Sequence, residues 1–212
     1  MFIELVDALR CPNAHEESWL VAASTRMEFR HIVDGTLGCP VCKSQYPVRR
    51  GVVDFRRSPA GEVPVSWHAQ PDETEAARIA AFLDLTDRTG FAVLLGGWSA
   101  HAPLVRGLVE TPQIIVDPPD GTEGEPGISV LRCDGAIPIA AGSARGMAID
   151  GGGVARVASA VRATRAKGRI LAPVSVSVPD GVTELARDAA TWVAERGTST
   201  SAPVALHVRR GS

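Results

Sequence analysis

The feature that most constrains this chain is Cys39-Pro40-Val41-Cys42, two cysteines two residues apart with Gly38 leading into the turn. That spacing lets both thiolates face one metal ion while the intervening backbone amides turn towards the sulfurs. Upstream, Cys11-Pro12-Asn13-Ala14-His15 offers a second pair of donors. Three cysteines and one histidine make a closed tetrahedral set for zinc, a site that holds a fold together and leaves no open position for catalysis. The expected ligands are Cys11, Cys39 and Cys42 with His15 as the fourth; Glu16, Glu17 and His31 are the alternatives for that last position. The competing reading of Cys39 and Cys42 is a redox pair, which opens a helix after a strand. Here Tyr46-Pro47 follows closely and no helical pattern starts at the motif.

Residues 1–57 are otherwise irregular, and they end in an alternating run from Tyr46 to Phe55 that suits short strands. Such a segment reads as a small, zinc-ribbon-like module. Charge is close to balanced, with 22 Lys plus Arg against 24 Asp plus Glu, so no global field marks a nucleic-acid binder. Arg49, Arg50, Arg56 and Arg57 cluster at the end of the module and could hold RNA phosphates, but only Tyr46 and Phe55 stand near them as stacking platforms. A solvated surface is the simpler reading. Residues 1–10 contain two acids and no apolar core of signal-peptide length, and no later stretch approaches the ~18 apolar residues of a membrane span. A cytoplasmic protein is expected, in which cysteines stay reduced or bind metal.

Residues 58–71 carry three prolines and read as a linker. The remainder, 72–212, has the alternation of an α/β domain. Asp72 caps a helix in which Ala76, Ile79, Ala80 and Leu83 share a face. Apolar strands are expected at 91–95, 113–116, 128–131, 146–149 and 169–178, with 203–208 as a last strand, which predicts a Rossmann-like, mostly parallel, doubly wound sheet. Val154, Val157, Ala158 and Val161 make a helical stripe, with Arg156, Arg162, Arg165 and Lys167 on the solvated side. Asp180 is expected to cap another helix carrying Val182, Leu185, Ala186, Ala189 and Val193. Cys133, in an apolar strand, reads as a small buried hydrophobe.

Two resemblances follow from particular residues. Asp7-Ala8-Leu9-Arg10-Cys11-Pro12, then Leu37-Gly38-Cys39-Pro40-Val41-Cys42, then Tyr46-Pro47-Val48 with Gly51-Val52-Val53, resembles the small zinc-binding activator subunits of tRNA and protein methyltransferases. The likeness covers about residues 2 to 55, and where that family has a second Cys-x-x-Cys this chain has Cys11 and His15. From residue 91 onward, the order of segments resembles a class I S-adenosylmethionine-dependent methyltransferase, most closely at Val130-Leu131-Arg132-Cys133-Asp134-Gly135-Ala136-Ile137-Pro138-Ile139.

The second resemblance implies a cofactor rim beyond the carboxyl ends of the strands. Gly96 and Gly97 would let backbone approach S-adenosylmethionine, Asp117 would accept the ribose hydroxyls, and Asp134 would accept from the adenine amine. Gly-Gly is also an ordinary turn and Asp is favoured at strand ends, so these four residues have a plain structural reading as well. Trp98 is bulky where the family keeps room, and Asp150, before Gly151-Gly152-Gly153, is the one candidate base. The expected function is a non-catalytic or degenerate methyltransferase-like protein whose zinc module binds a protein partner or a second copy. The alternative is an active methyltransferase with its activator fused in cis.

Overall fold

The computed structural model describes residues 1–57 and 70–198. Most of the expected linker, and the strand expected at 203–208, lie outside the described residues. In chain order the elements are α1 (Leu5–Ala8), β1 (Val21–Glu28), β2 (His31–Gly38), β3 (Gln45–Arg49), β4 (Val52–Asp54), α2 (Glu73–Phe82) and β5 (Phe91–Leu95). A 3-10 helix (Gly96–His101) then leads into α3 (Ala102–Leu108), β6 (Gln113–Val116), β7 (Ile128–Arg132), β8 (Ala144–Ala148), α4 (Gly153–Ala163), β9 (Thr164–Pro173), β10 (Val182–Arg187) and β11 (Thr191–Arg196).

The eleven strands of the described residues belong to one sheet in the order β1-β2-β3-β4-β7-β6-β5-β8-β9-β11-β10. Its centre, β4 to β9, is parallel. Both flanks are antiparallel, so the mostly parallel sheet expected from the strand pattern is corrected to a mixed one. Alternation explains why the centre is buried on both faces: Val93 and Leu95 of β5 point into one apolar cluster, Ala92 and Leu94 into the other. α2, α3 and Trp98 cover the second face, while α4 and the N-terminal segment cover the first. The chain order reverses beside β5, between β6 on one side and β8 on the other, and a crevice belongs at the carboxyl ends of that pair.

The N-terminal strands extend this sheet. β4 pairs in parallel with β7 through Val52 to Val130 and Val53 to Leu131, Leu9 bridges Ile139, and the amide of Phe55 donates to the Arg132 carbonyl at 2.7 Å. Leu5, Leu9, Tyr46 and Phe55 share one apolar cluster with Ile137 and Ile139. The long β1–β2 hairpin left no pattern in the sequence because β1 is an exposed edge strand whose register shifts between Ser24 and Met27.

Two further expectations are corrected. The helix expected after Asp180 is a hairpin, β10 and β11, because Asp188 closes a tight turn by accepting the amides of Ala190 and Thr191, both at 2.7 Å. Trp192 then packs inward and its indole donates to the Val176 carbonyl at 2.6 Å. In α4 the buried residues are Ser159, Ala160 and Ala163, and of the stripe only Val157 and Val161 pack, half-buried, against the core, with Val154 and Ala158 exposed. The α2 cap forms as expected, with the Asp72 carboxylate accepting from the amides of Thr74 and Glu75.

Candidate metal centre and cofactor rim

The turn between β2 and β3 carries Cys39 and Cys42, and the loop leaving Leu9 carries Cys11 and His15. The Cys39 amide donates to the Ser44 carbonyl at 2.9 Å and the Lys43 amide to the Cys39 carbonyl at 3.0 Å, closing a knuckle. The four donor atoms lie within 4.8 Å of one another. Nε2 of His15 is 3.1 Å from Sγ of Cys11 and 3.5 Å from Sγ of Cys39, and the sulfurs of Cys11 and Cys42 are 3.6 Å apart. A tetrahedron with Zn–S of ~2.3 Å and Zn–N of ~2.0 Å has edges of about 3.5–3.8 Å. The four side chains therefore form a Cys/His cluster that could bind zinc.

The surroundings favour the thiolate at Cys39 and Cys42, whereas burial pushes the Cys11 thiol up and the Glu16 carbonyl raises the His15 imidazole. Nδ1 of His15 faces the Glu16 carbonyl at 2.5 Å, which orients Nε2 towards the sulfurs. Burial pushes the Cys39 thiol up, and the backbone amides of Cys42 and Val41 outweigh it, so the thiol sits below its ordinary range. The Ser44 hydroxyl, and next the Asn13 amide, hold Cys42 down at about 5. Of the alternative fourth ligands, Glu17 pairs with Arg10 at 3.1 Å and His31 packs on the Phe2 ring, with centroids 4.4 Å apart.

A labelling experiment checks this electrostatic setting. In metal-free protein, kept cold, alkylation of Cys42 by iodoacetamide is expected to hold its rate down to about pH 5 and to fall below it, because the thiolate is the nucleophile. Burial pushes the Cys133 thiol up, so that residue should stay unlabelled. A Cys42 rate that climbs only near pH 8–9, as for an ordinary thiol, would contradict the assignment.

The strand ends bring Gly96, Gly97, Asp117, Asp134 and Asp150 to one rim. Gly96 adopts a φ of 52°, and a Cβ there would stand 1.6 Å from Oδ2 of Asp150. The Gly97 amide donates to that same carboxylate oxygen at 3.3 Å. The loop is therefore closed over Asp150. Trp98 is 1% exposed, lies in the core beneath the rim, and donates from Nε1 to the Ile149 carbonyl at 3.2 Å. Its ring is core filling rather than a platform for an adenine.

Asp117 directly follows β6 and is 3% exposed. Its carboxylate accepts the Cys133 amide at 2.9 Å and pairs with Nη1 of Arg156 at 2.7 Å. Arg156 also donates to the carbonyls of Cys133 and Gly135, both at 3.0 Å. Asp134 is exposed and accepts the Arg57 amide at 3.0 Å.

Arg156 is the functional residue that sequence reasoning missed, since it was expected on a solvated helix face. The signal lay in the glycine triplet. Gly152 has a φ of 94°, and a Cβ at that position would sit 2.3 Å from Cδ of Arg156. Only a missing side chain there lets the arginine fold back over Asp117.

Two of the four arginines of the RNA reading are paired with acids. Arg56 is paired with Asp54 at 2.8 Å and Arg50 with Glu123 at 2.7 Å. A cleft of about 330 Å³ beside them is lined by Arg49 and Arg132 but also by Asp54, Asp120 and Glu123. Among the described residues, no helix is long and apolar enough to cross a membrane.

No family model matches the chain, and no curated protein matches it. Several solved structures are similar at low identity. The antibiotic-resistance methyltransferase Kmr is 15% identical with a TM-score of 0.41, over 58% of this chain and 93% of that one. The mycinamycin-pathway methyltransferase MycE, solved with Mg and SAH, is 13% identical with a TM-score of 0.42, over 68% of this chain and 54% of that one. An S-adenosyl-L-methionine methyl transferase from Silicibacter pomeroyi is 17% identical with a TM-score of 0.38, over 58% of this chain and 89% of that one.

Proposed function

We propose that this chain is a non-catalytic, methyltransferase-like protein in which a zinc-stapled N-terminal segment serves protein interaction. The observation that carries the reading is the Arg156 guanidinium on Asp117. A carboxylate after the second strand of a Rossmann-like sheet receives ribose hydroxyls only if its oxygens are free. Here one oxygen accepts a backbone amide, the other an arginine, and the residue is almost wholly buried. The glycine loop supports the same conclusion, because Asp150 occupies the space next to Gly96 that an approaching ligand would need. The residues present do not fit S-adenosylmethionine at this rim.

The interaction half of the reading rests on the β1 hairpin. Val21 and Met27 are exposed along this edge strand, Trp19 is exposed just before it, and Phe29 at its tip is fully exposed. An unpaired edge with apolar side chains is the kind of surface that another protein, or a second copy, covers. Titration calorimetry tests the cofactor half. Up to about 1 mM S-adenosylmethionine is expected to give no saturable heat and no rise in melting temperature. A measurable affinity in that range would favour the alternative, an active methyltransferase with its activator segment in cis.

A further inference from the structure

The tip of the β1–β2 hairpin holds a residue that is costly in two ways. Glu28 pairs with His31, so Phe29 and Arg30 alone make the loop. A two-residue hairpin loop asks for a positive φ, which glycine, asparagine and aspartate supply with little strain. Phe29 takes that conformation, with a φ of 53°, and its ring is fully exposed. A glycine would relieve the backbone strain and remove the uncovered apolar surface together. Strain of this kind, held at an exposed tip, points to a use for the ring.

Beside the ring lies a socket. Phe2 and the segments that lead into β6 and β7, with Pro112, Pro126 and Gly127, wall a cavity of about 480 Å³, and Phe29 belongs to the same lining. Because those segments precede their strands, the socket sits at the amino ends of the parallel strands, opposite the rim of Gly96, Asp117 and Asp134. Ile3, whose amide donates to the Arg30 carbonyl at 3.0 Å, and Met27, on the strand leading to the tip, add exposed apolar surface. Charge around the socket is of both signs: Arg30 pairs with Glu4 and Arg88 with Glu110, and all four side chains are exposed.

We infer that a second copy of this chain covers this surface, in a two-fold contact in which the Phe29 ring of each copy enters the socket of the other. The inference rests on the reading of the β1 hairpin as an interaction surface and names its partner. A two-fold contact sets the same patch on both sides, so a knob and a socket within one patch satisfy each other twice. An outside protein would have to supply both, whereas this chain already carries the pair. The charges match in the same way: Arg30, next to the knob, arrives at Glu110 beside the socket of the other copy, and no block of one sign opposes itself.

Sedimentation equilibrium of the full chain is expected to show a reversible dimer forming between about 1 and 100 µM, the strength of a small interface. Phe29→Gly should weaken it about thirtyfold or more, as loss of a central aromatic anchor does. The same variant should melt no lower than the unaltered chain at about 1 µM, since glycine relieves the positive φ, and misfolding is thereby excluded as the cause. With a benzophenone side chain in place of Phe29, light is expected to join two copies, the link falling at residues 106–112 or 126–127 of the second. A chain that stays monomeric at about 100 µM, a Phe29→Gly chain that dimerises as before, or links that fall elsewhere would each overturn the inference. If the chain is monomeric and the probe at position 29 instead captures a different protein from native lysate, the second copy is overturned and the hairpin reading stands. Capture of nothing by a monomeric chain overturns both.

Discussion

Cys39→Ser protein is expected to carry less than about a tenth of a zinc ion per chain where the unaltered protein carries one, and to melt about 10 °C lower or more. The argument starts from the donor set. Three sulfurs and one imidazole nitrogen already stand within 4.8 Å of one another, so modest reorganisation opposes metal binding. Cys39 is 3% exposed and lies in the same apolar cluster as Leu37, Tyr46 and Phe55. Loss of its thiolate removes one quarter of the coordination shell and leaves a hydroxyl in that cluster.

The effect should stop short of global unfolding. β3 and β4 are also held by pairing to one another and to β7, unlike an isolated zinc finger, whose fold is the metal's alone. His15→Ala, which leaves three thiolates, is expected to fall between the two. Elemental analysis and thermal melts with and without a chelator decide the matter. An unaltered chain that purifies without zinc and melts identically in chelator would sink the assignment.

Arg156→Met should destabilise the protein by about 3–5 kcal/mol, because it leaves a buried carboxylate without its counter-charge. Asp117 is 3% exposed and the Arg156 side chain 11% exposed, so solvent cannot take over the lost interaction. The carbonyls of Cys133 and Gly135 lose donors in the same step. The companion prediction separates charge from packing. Asp117→Asn combined with Arg156→Met should recover at least half of the loss, since no unpaired charge then remains. Denaturant melts of the two single variants and the double variant supply the cycle. A single-variant loss below about 1 kcal/mol would show the pair to be a surface contact and would weaken the reading of a sealed rim.

Local chemistry was legible wherever it depends on residues close in sequence. The knuckle at Cys39 and Cys42, the Asp72 cap and the strands 91–95 and 113–116 are all written in short motifs, and the structure has them at those positions. His15 was readable because its offset from Cys11 lets two donors on one loop reach a common point. Elements that depend on partners were not legible. β1 has no alternating face because neither side is fully covered, and β10 carries helical spacing in Val182, Leu185 and Ala186 although Asp188 and Trp192 force a hairpin. The α4 stripe was correct as a pattern, but only Val157 and Val161 of it pack against the core, since a stripe states that a face is apolar but not what lies against it.

The sequence alone determined the composition of the Cys/His cluster and the set of acids and glycines that gather at the strand ends, because both follow from residue type and from which segments end a strand. Only the tertiary structure decided what those groups are doing. Whether Asp117 is open to a ligand depends on a side chain 39 positions away in the sequence, reaching back across a glycine triplet that has room for it. Whether the N-terminal segment stands apart depends on β4 finding β7. Both are contacts between residues far apart in the chain, and no local propensity encodes them.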